Sequence, residues 1–369
     1  MEPKASIRGL PVYKPGKPVE EVKREFGLNE VIKLASNENP FGCSPKVWPA
    51  LSRIKDQFHI YPEGLAPELR MKLADYLETD PKRLLFGNGS DEIIQMIGRA
   101  YLEPGSESVM ADLTFPRYET ATRIEGAKPV KVPLREGIHD LQAMLDAITD
   151  QTRIVWICNP NNPTGTIVSH EELTRFVDQV PEHVLVVVDE AYYEYVTDSS
   201  YPDTLSLLDY HPQIIVLRTF SKIYGLAAFR AGYGVAHPDV VRELNRVREP
   251  FNLNRLAQQA AMAALDDESF LRYCRNQNRL GIKQITEQLD EWDLDYFPPH
   301  GNFILLDTGM PADEVYQGLL QQGIIVRSGA ALGFPTWIRV TVGSEEQNRQ
   351  FLLALRKFLQ MKGKITANA

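Results

Sequence analysis

A lysine, two hydroxyls and an arginine stand together in the stretch from Arg218 to Tyr233, RTFSKIYGLAAFRAGY, directly after the apolar run Ile214-Ile215-Val216-Leu217. An apolar, β-branched run that empties into Thr219, Ser221, Lys222, Gly225 and Arg230 reads as a buried strand ending in a polar loop. A lysine in a dry pocket loses part of its preference for the ammonium form, so the amine of Lys222 could attack a carbonyl and form a Schiff base. Thr219, Ser221 and Arg230 carry the donors to grip a phosphate. Taken alone, the stretch is better explained as a solvated loop bearing one of the chain's 40 basic residues. The case for chemistry rests on other polar tips in the chain.

Leu84-Leu85-Phe86 followed by Gly87-Asn88-Gly89-Ser90-Asp91-Glu92 reads as a short strand, a glycine turn and a capped helix start. Free backbone N–H groups and the positive end of a helix dipole make that turn a phosphate cradle. A dinucleotide site wants a third glycine where Glu92 stands, so a single phosphate suits the turn better. Arg153 to Cys158 reads as a strand ending in Asn159-Pro160-Asn161-Asn162-Pro163-Thr164-Gly165, and Leu185 to Val188 as a buried strand delivering Asp189-Glu190-Ala191-Tyr192. Phe115, in a loop, has a ring that could stack on a flat ligand or simply pack. Together the tips suit a cofactor with a phosphate, an aldehyde and a pyridine nitrogen. Asp189 opposite a protonated ring nitrogen, at 4 Å and an effective dielectric of 20, gives about 4 kcal/mol, or roughly three pKa units. A ring so charged withdraws electrons from a substrate amine joined to it and stabilises the carbanion left when an α-proton departs. Lys222 is placed to carry that proton, and Asn162 and Tyr192 to hydrogen-bond the ring's phenolic oxygen.

The supporting elements alternate strand and helix from residue 128 onward, the pattern of a mostly parallel sheet covered on both faces. A chain of 369 residues exceeds one ordinary core. The expected organisation is an arm at 1–30, a large α/β domain at 31–250 and a smaller α+β domain at 251–369. In the last, Arg327 and Arg339 lie in or at the end of apolar strands, where an unpaired guanidinium is costly. Each therefore wants an anion, either a substrate or a structural carboxylate. The formal charge of −9, with no long basic run, argues against nucleic acid or an anionic membrane as partner. Cys43, Cys158 and Cys274 match neither a disulfide framework nor a metal-ligand spacing, which points to a reducing cytoplasm and no metal. No stretch has the roughly 20 apolar residues of a membrane helix, and the N-terminus lacks a signal peptide's apolar core.

The sequence resembles the fold-type I pyridoxal-phosphate enzymes, and within them the histidinol-phosphate aminotransferase family. The resemblance is carried by Asn37-Glu38-Asn39-Pro40, Tyr61-Pro62, Gly87 to Glu92, Asn159 to Gly165, Asp189 to Tyr192, Ser221-Lys222, Gly225-Leu226, Arg230, Pro250-Phe251-Asn252, Arg327 and Arg339. It implies a large domain with a mostly parallel, seven-stranded-type sheet and a smaller C-terminal α+β domain. It implies pyridoxal phosphate joined to Lys222, with Asp189 on the pyridine nitrogen, Asn162 and Tyr192 on the phenolic oxygen, and Phe115 stacked on the ring. The phosphate would be held by the backbone of Ser90 and Asp91, by Thr219, Ser221 and Arg230, and by Tyr61 of the partner subunit in a homodimer. Arg339, Arg327, Tyr13 and Asn162 would bind substrate, and the reaction would be transamination from histidinol phosphate to 2-oxoglutarate. Two departures bear on substrate choice. Leu113 and Phe115 stand where many relatives have Thr-Tyr, and Glu63 stands where Asp is common. An aromatic amino-acid aminotransferase, or a decarboxylase of a phosphorylated amino acid, is the alternative. A cofactor-sensing regulator would need a DNA-binding domain that residues 1–30 are too short to supply.

Overall fold

Val186, Val188, Ile214 and Val216 belong to one apolar core, while Leu185, Val187, Ile215 and Leu217, which alternate with them, belong to another. A sheet lies between, dry on both faces, as a continuous β-branched run requires. The computed structural model describes residues 2–10, 12 and 16–365. Tyr13 lies outside them. The sheet's strands are β1 (Leu84–Asn88), β2 (Glu107–Ala111), β3 (Lys128–Val132), β4 (Thr152–Cys158), β5 (Leu185–Asp189), β6 (Ile214–Thr219) and β7 (Ala231–Ala236). Their order is β1-β7-β6-β5-β4-β2-β3. Only β7 runs against its neighbours. The mostly parallel, seven-stranded sheet expected from the sequence is therefore present.

Topology decides what meets at the sheet's carboxyl edge. Strands β4, β5 and β6 end there at Cys158, Asp189 and Thr219, and β1 ends there at Asn88. Because β7 is antiparallel, its first residue pairs with Asn88, and Gly232 pairs with Thr219. Arg230, immediately before β7, thus reaches the same edge from the opposite chain direction. Helix α1 (Ser90–Tyr101) starts against β7, and a Cβ at Gly232 would lie 2.3 Å from the Ser90 nitrogen. No side chain fits there.

A second, antiparallel sheet has the order β9-β10-β8, from β8 (Phe303–Asp307), β9 (Arg327–Ser328) and β10 (Trp337–Thr341). Its core includes Ile304, Leu306, Val340, Val315, Phe351 and Leu355, with helices Ala312–Leu320 and Glu345–Met361 as cover. The apolar run that leads into Arg327 forms two short strands and not one. Ile324–Ile325 pairs in parallel with Ile32–Lys33, and the chain turns at buried Val326 before β9 begins.

Two elements tie the cores together. Helix Glu268–Glu291 puts Leu271 and Cys274 into the core of the large sheet and Ile285 and Leu289 into that of the small one. The segment after Lys33 crosses between them: Thr341 N–H donates to the Leu34 carbonyl, and the Asn39 amide donates to the Ile223 carbonyl beside Lys222. Close packing backs this crossing, because a Cβ on Gly225 would overlap the Gly42 carbonyl oxygen at 1.8 Å.

Candidate active site

Lys222 emerges three residues beyond β6, half-buried, with its Nζ 3.4 Å from the Ser36 carbonyl oxygen and 5.4 Å from the centre of the Tyr192 ring. Burial pushes its amine down to about 8 from 10.5, and the positive charge of Arg339 acts in the same direction. Asp91 and Glu38 oppose the shift without cancelling it. The result is a lysine with a useful fraction of neutral amine near neutral pH, as a nucleophile or proton carrier needs.

Asp189 is the last residue of β5 and only 3% exposed. Tyr118 donates to its Oδ2 at 2.8 Å, and the Ala191 N–H to its Oδ1 at 3.2 Å. Burial raises the carboxyl to about 6 despite the hydrogen bond from Tyr118, which favours the charged form. Among the described residues no cation pairs with it. Tyr118 is itself fully buried, stacked on Trp156 at 4.9 Å, with Phe115 edge-on at 5.6 Å. The first turn of helix Arg117–Ile124 therefore orients the acid while the half-buried Phe115 ring stands next to it.

The phosphate cradle assembles as the topology requires. Gly89, at φ +73°, leads into α1 beside Arg230; a Cβ on Gly89 would sit 2.8 Å from the Arg230 Nη2. Arg230 adopts φ +58°, a left-handed conformation that costs an arginine on the order of 1–2 kcal/mol. Its guanidinium reaches the Ser221 hydroxyl at 3.5 Å, the Ala227 carbonyl at 3.1 Å and the Asp91 carboxylate at 3.3 Å. Half-exposed, the pair with Asp91 is worth at most about 1 kcal/mol, little to hold against a phosphate dianion. The Thr219 hydroxyl is committed inward, donating to the Ala231 carbonyl and accepting from Ser221 N–H. Glu92, which displaces the dinucleotide glycine, accepts from the Asn88 N–H at 2.5 Å and the Asn252 amide at 2.8 Å, and so braces the turn.

On the side of the small sheet, Arg339 on β10 is 8% exposed and donates to Asn162 Oδ1 at 2.5 Å and to the Ala35 carbonyl at 2.9 Å. Tyr192 is buried; its phenol oxygen accepts from the Asn37 amide at 2.9 Å and lies 3.5 Å from the Asn162 amide. Arg327 is the cross-strand neighbour of Arg339 but is half-exposed, since β9 is a two-residue edge strand. The sequence argument from burial holds for Arg339 and not for Arg327. Tyr61 stacks on Phe251 at 4.7 Å and is 76% exposed. It takes no part in its own chain's cradle by any described contact.

This donor set fits pyridoxal phosphate: a buried acid without a cation, a depressed lysine, a ring to stack, and a cradle that two glycines keep open. Sequence reasoning left Tyr118 and Asn37 without roles. Tyr118 had a signal, three residues after Phe115; Asn37 stood in a stretch that carries the resemblance, but its partners are remote in sequence, so its role was not readable. One consequence is directly measurable. Reductive methylation of the cofactor-free protein, read by peptide mass spectrometry, should label Lys222 with a pH midpoint near 8, since the neutral amine reacts and dominates above its pKa. A midpoint near 10.5, like that of exposed lysines, would contradict the depressed amine.

A sequence model of the family "Aminotransferase class I and II" matches residues 29–355. The histidinol-phosphate aminotransferase of Brevibacillus brevis is 55% identical over 359 residues, 97% of this chain and 99% of that protein. The Bacillus subtilis enzyme of the same name is 50% identical, covering 97% of this chain and 100% of its own. Among solved structures, histidinol-phosphate aminotransferase from Sinorhizobium meliloti in complex with pyridoxal-5'-phosphate superimposes with a TM-score of 0.89, at 28% identity over 97% of this chain and 98% of that one. With a half-buried lysine, a buried acid and a glycine turn at one sheet edge, the chain belongs to the class I and II aminotransferase family, enzymes that depend on pyridoxal phosphate.

Proposed function

We propose that the chain transfers the amino group of L-histidinol phosphate to 2-oxoglutarate, giving imidazole acetol phosphate and L-glutamate, a step of histidine biosynthesis. What supports this reading is identity of 50–55% over nearly the whole length of enzymes so named, together with Asp189 and Arg230 at one sheet edge and Lys222 and Arg339 on the adjacent carbonyls of Ser36 and Ala35. Pyridoxal phosphate, when bound, supplies an aldehyde and an electron-withdrawing ring. Lys222 would hold the cofactor through its amine, the same group that would carry the substrate's α-proton. Asp189, oriented by Tyr118, would pair with the ring nitrogen and favour its protonated form. Arg230, Ser221 and the N–H groups of Ser90 and Asp91 anchor the phosphate, with Thr219 shaping the floor beneath them. Phe115 would stack on the ring, and Tyr192 and Asn162 would hold its phenolic oxygen. Arg339 would take the acidic end of the substrate, with Arg327 as its cross-strand neighbour.

Substrate choice rests on charge. A phosphate dianion gains from bidentate contacts that a neutral aromatic side chain cannot use. Comparison of kcat/KM should favour histidinol phosphate over phenylalanine and tyrosine by at least a hundredfold, and Arg327→Ala should lower the value for the phosphorylated donor more than for phenylalanine. Equal values for the three donors would sink the assignment of substrate, and equal losses would remove Arg327 from it.

The active unit is a homodimer with shared sites, in which Tyr61 serves the cofactor phosphate of the neighbour. Its exposed ring, and the exposed Trp48, Phe58, Ile60, Leu65 and Phe251 nearby in sequence or space, fit a face covered by a second copy. The three free cysteines fit a reducing cytoplasm. Lys222→Ala and Tyr61→Asp subunits, each inactive alone, should recover up to about half the native activity per mixed dimer when unfolded and refolded together, because both lesions then fall in one site. A monomer, or a dimer with self-contained sites, would recover none.

A further inference from the structure

Three consecutive residues, Ala35, Ser36 and Asn37, each touch a different group of the cleft. The Ala35 carbonyl accepts from Arg339, the Ser36 carbonyl from Lys222, and the Asn37 amide donates to the Tyr192 phenol. Two of these contacts use backbone and would survive almost any residue there. The third depends on the side chain, and Asn37 is 1% exposed with φ +55°, a conformation that asparagine tolerates and most residues do not.

The orientation of the Asn37 amide follows from its surroundings. Its own N–H donates to the Thr341 hydroxyl at 2.9 Å, which fills an acceptor position of that oxygen. The Thr341 hydroxyl hydrogen then goes to Asn37 Oδ1 at 3.2 Å. With Oδ1 engaged as acceptor, Nδ2 faces Tyr192, and an amide nitrogen only donates. The phenol oxygen of Tyr192 is thereby an acceptor toward Asn37 at 2.9 Å, and its single hydrogen is left to donate elsewhere. The Asn162 amide, 3.5 Å from the same oxygen, also faces it as a donor, while its Oδ1 is held by Arg339. Arg339 and Thr341 stand two apart on β10 and so share a face of the strand. Thr341, Asn37, Tyr192, Asn162 and Arg339 form a ring of contacts closed through β10.

We propose that Asn37 is a positioning residue that fixes the Tyr192 phenol as a hydrogen-bond donor to the cofactor's phenolic oxygen. The inference rests on the reading above that Tyr192 meets that oxygen. A hydrogen bond donated there favours the form in which the oxygen bears more negative charge, which is the deprotonated form of the bound chromophore. It therefore lowers the pH midpoint of the holoenzyme's visible absorption change. Losing the Asn37 amide lets the phenol rotate and weakens that donation.

The test is a spectrophotometric pH titration of the holoenzyme carrying Asn37→Gly, Thr341→Val or Tyr192→Phe. Glycine keeps the positive φ without strain, and valine keeps the shape of Thr341, so a folding failure in one leaves the other to report. Tyr192→Phe should move the midpoint upward by about one pH unit, and Asn37→Gly by about half a unit in the same direction, with Thr341→Val smaller still. A purely structural role would lower the yield of active enzyme and leave the midpoint in place. If Tyr192→Phe moves the midpoint and both Asn37→Gly and Thr341→Val match the native protein, the inference is overturned. An unmoved Tyr192→Phe removes the reading of Tyr192, and the inference with it.

Discussion

A carboxylate shut away from water, with no cation of the described chain beside it, is the constraint around which the cleft is arranged. Asp189 sits at the end of the central strand β5, oriented by Tyr118 and raised by burial to about 6. Its neighbour in sequence shows the alternative. Glu190 is also fully buried, but the chain supplies Arg218 at 2.8 Å and the Thr204 hydroxyl at 2.6 Å, and Arg218 in turn lies over the Tyr193 ring at 3.6 Å. That pair is complete within the fold. Asp189 has no such cation among the described residues, and burial, which penalises the acid alone, would strengthen its attraction to a charged nitrogen brought by a ligand.

The rest of the cleft is positioned relative to that point by topology. Parallel strands bring Asp189 and Thr219 to one edge, and the reversed strand β7 adds Arg230 and the start of α1. Arg339 comes from elsewhere, on the small sheet. The crossing segment from Leu34 to Asn39 joins the two, with hydrogen bonds to Thr341 on one side and to Ile223 and Tyr192 on the other. A shift of either sheet against the other would be felt at Lys222, Tyr192 and Arg339 together.

The large sheet and the polar groups at its edge were legible in the sequence because each signal is local. A β-branched run followed by a polar residue predicts both a buried strand and a group at its tip, so Asp189, Lys222, Ser90 and Arg230 fall where such reasoning puts them. Burial of Arg339 was legible for the same reason. Arg327 was not, since an apolar neighbourhood in sequence says nothing about lying on a two-residue edge strand. Tyr118 and Asn37 escaped because they act at a distance, Tyr118 on an acid 71 residues away and Asn37 on a hydroxyl 304 residues away. No periodicity or turn rule encodes such a pair.

The claim that the buried charge of Asp189 powers the reaction is tested most directly by the rate of the first half-reaction in Asp189→Asn. Asparagine keeps the shape and can still accept from Tyr118, so packing is preserved while the charge is removed. Stopped-flow mixing of the cofactor-loaded variant with histidinol phosphate should show amino transfer slowed by about three powers of ten, the equivalent of roughly 4 kcal/mol of lost charge pairing. A rate within a few-fold of the native enzyme would contradict the account.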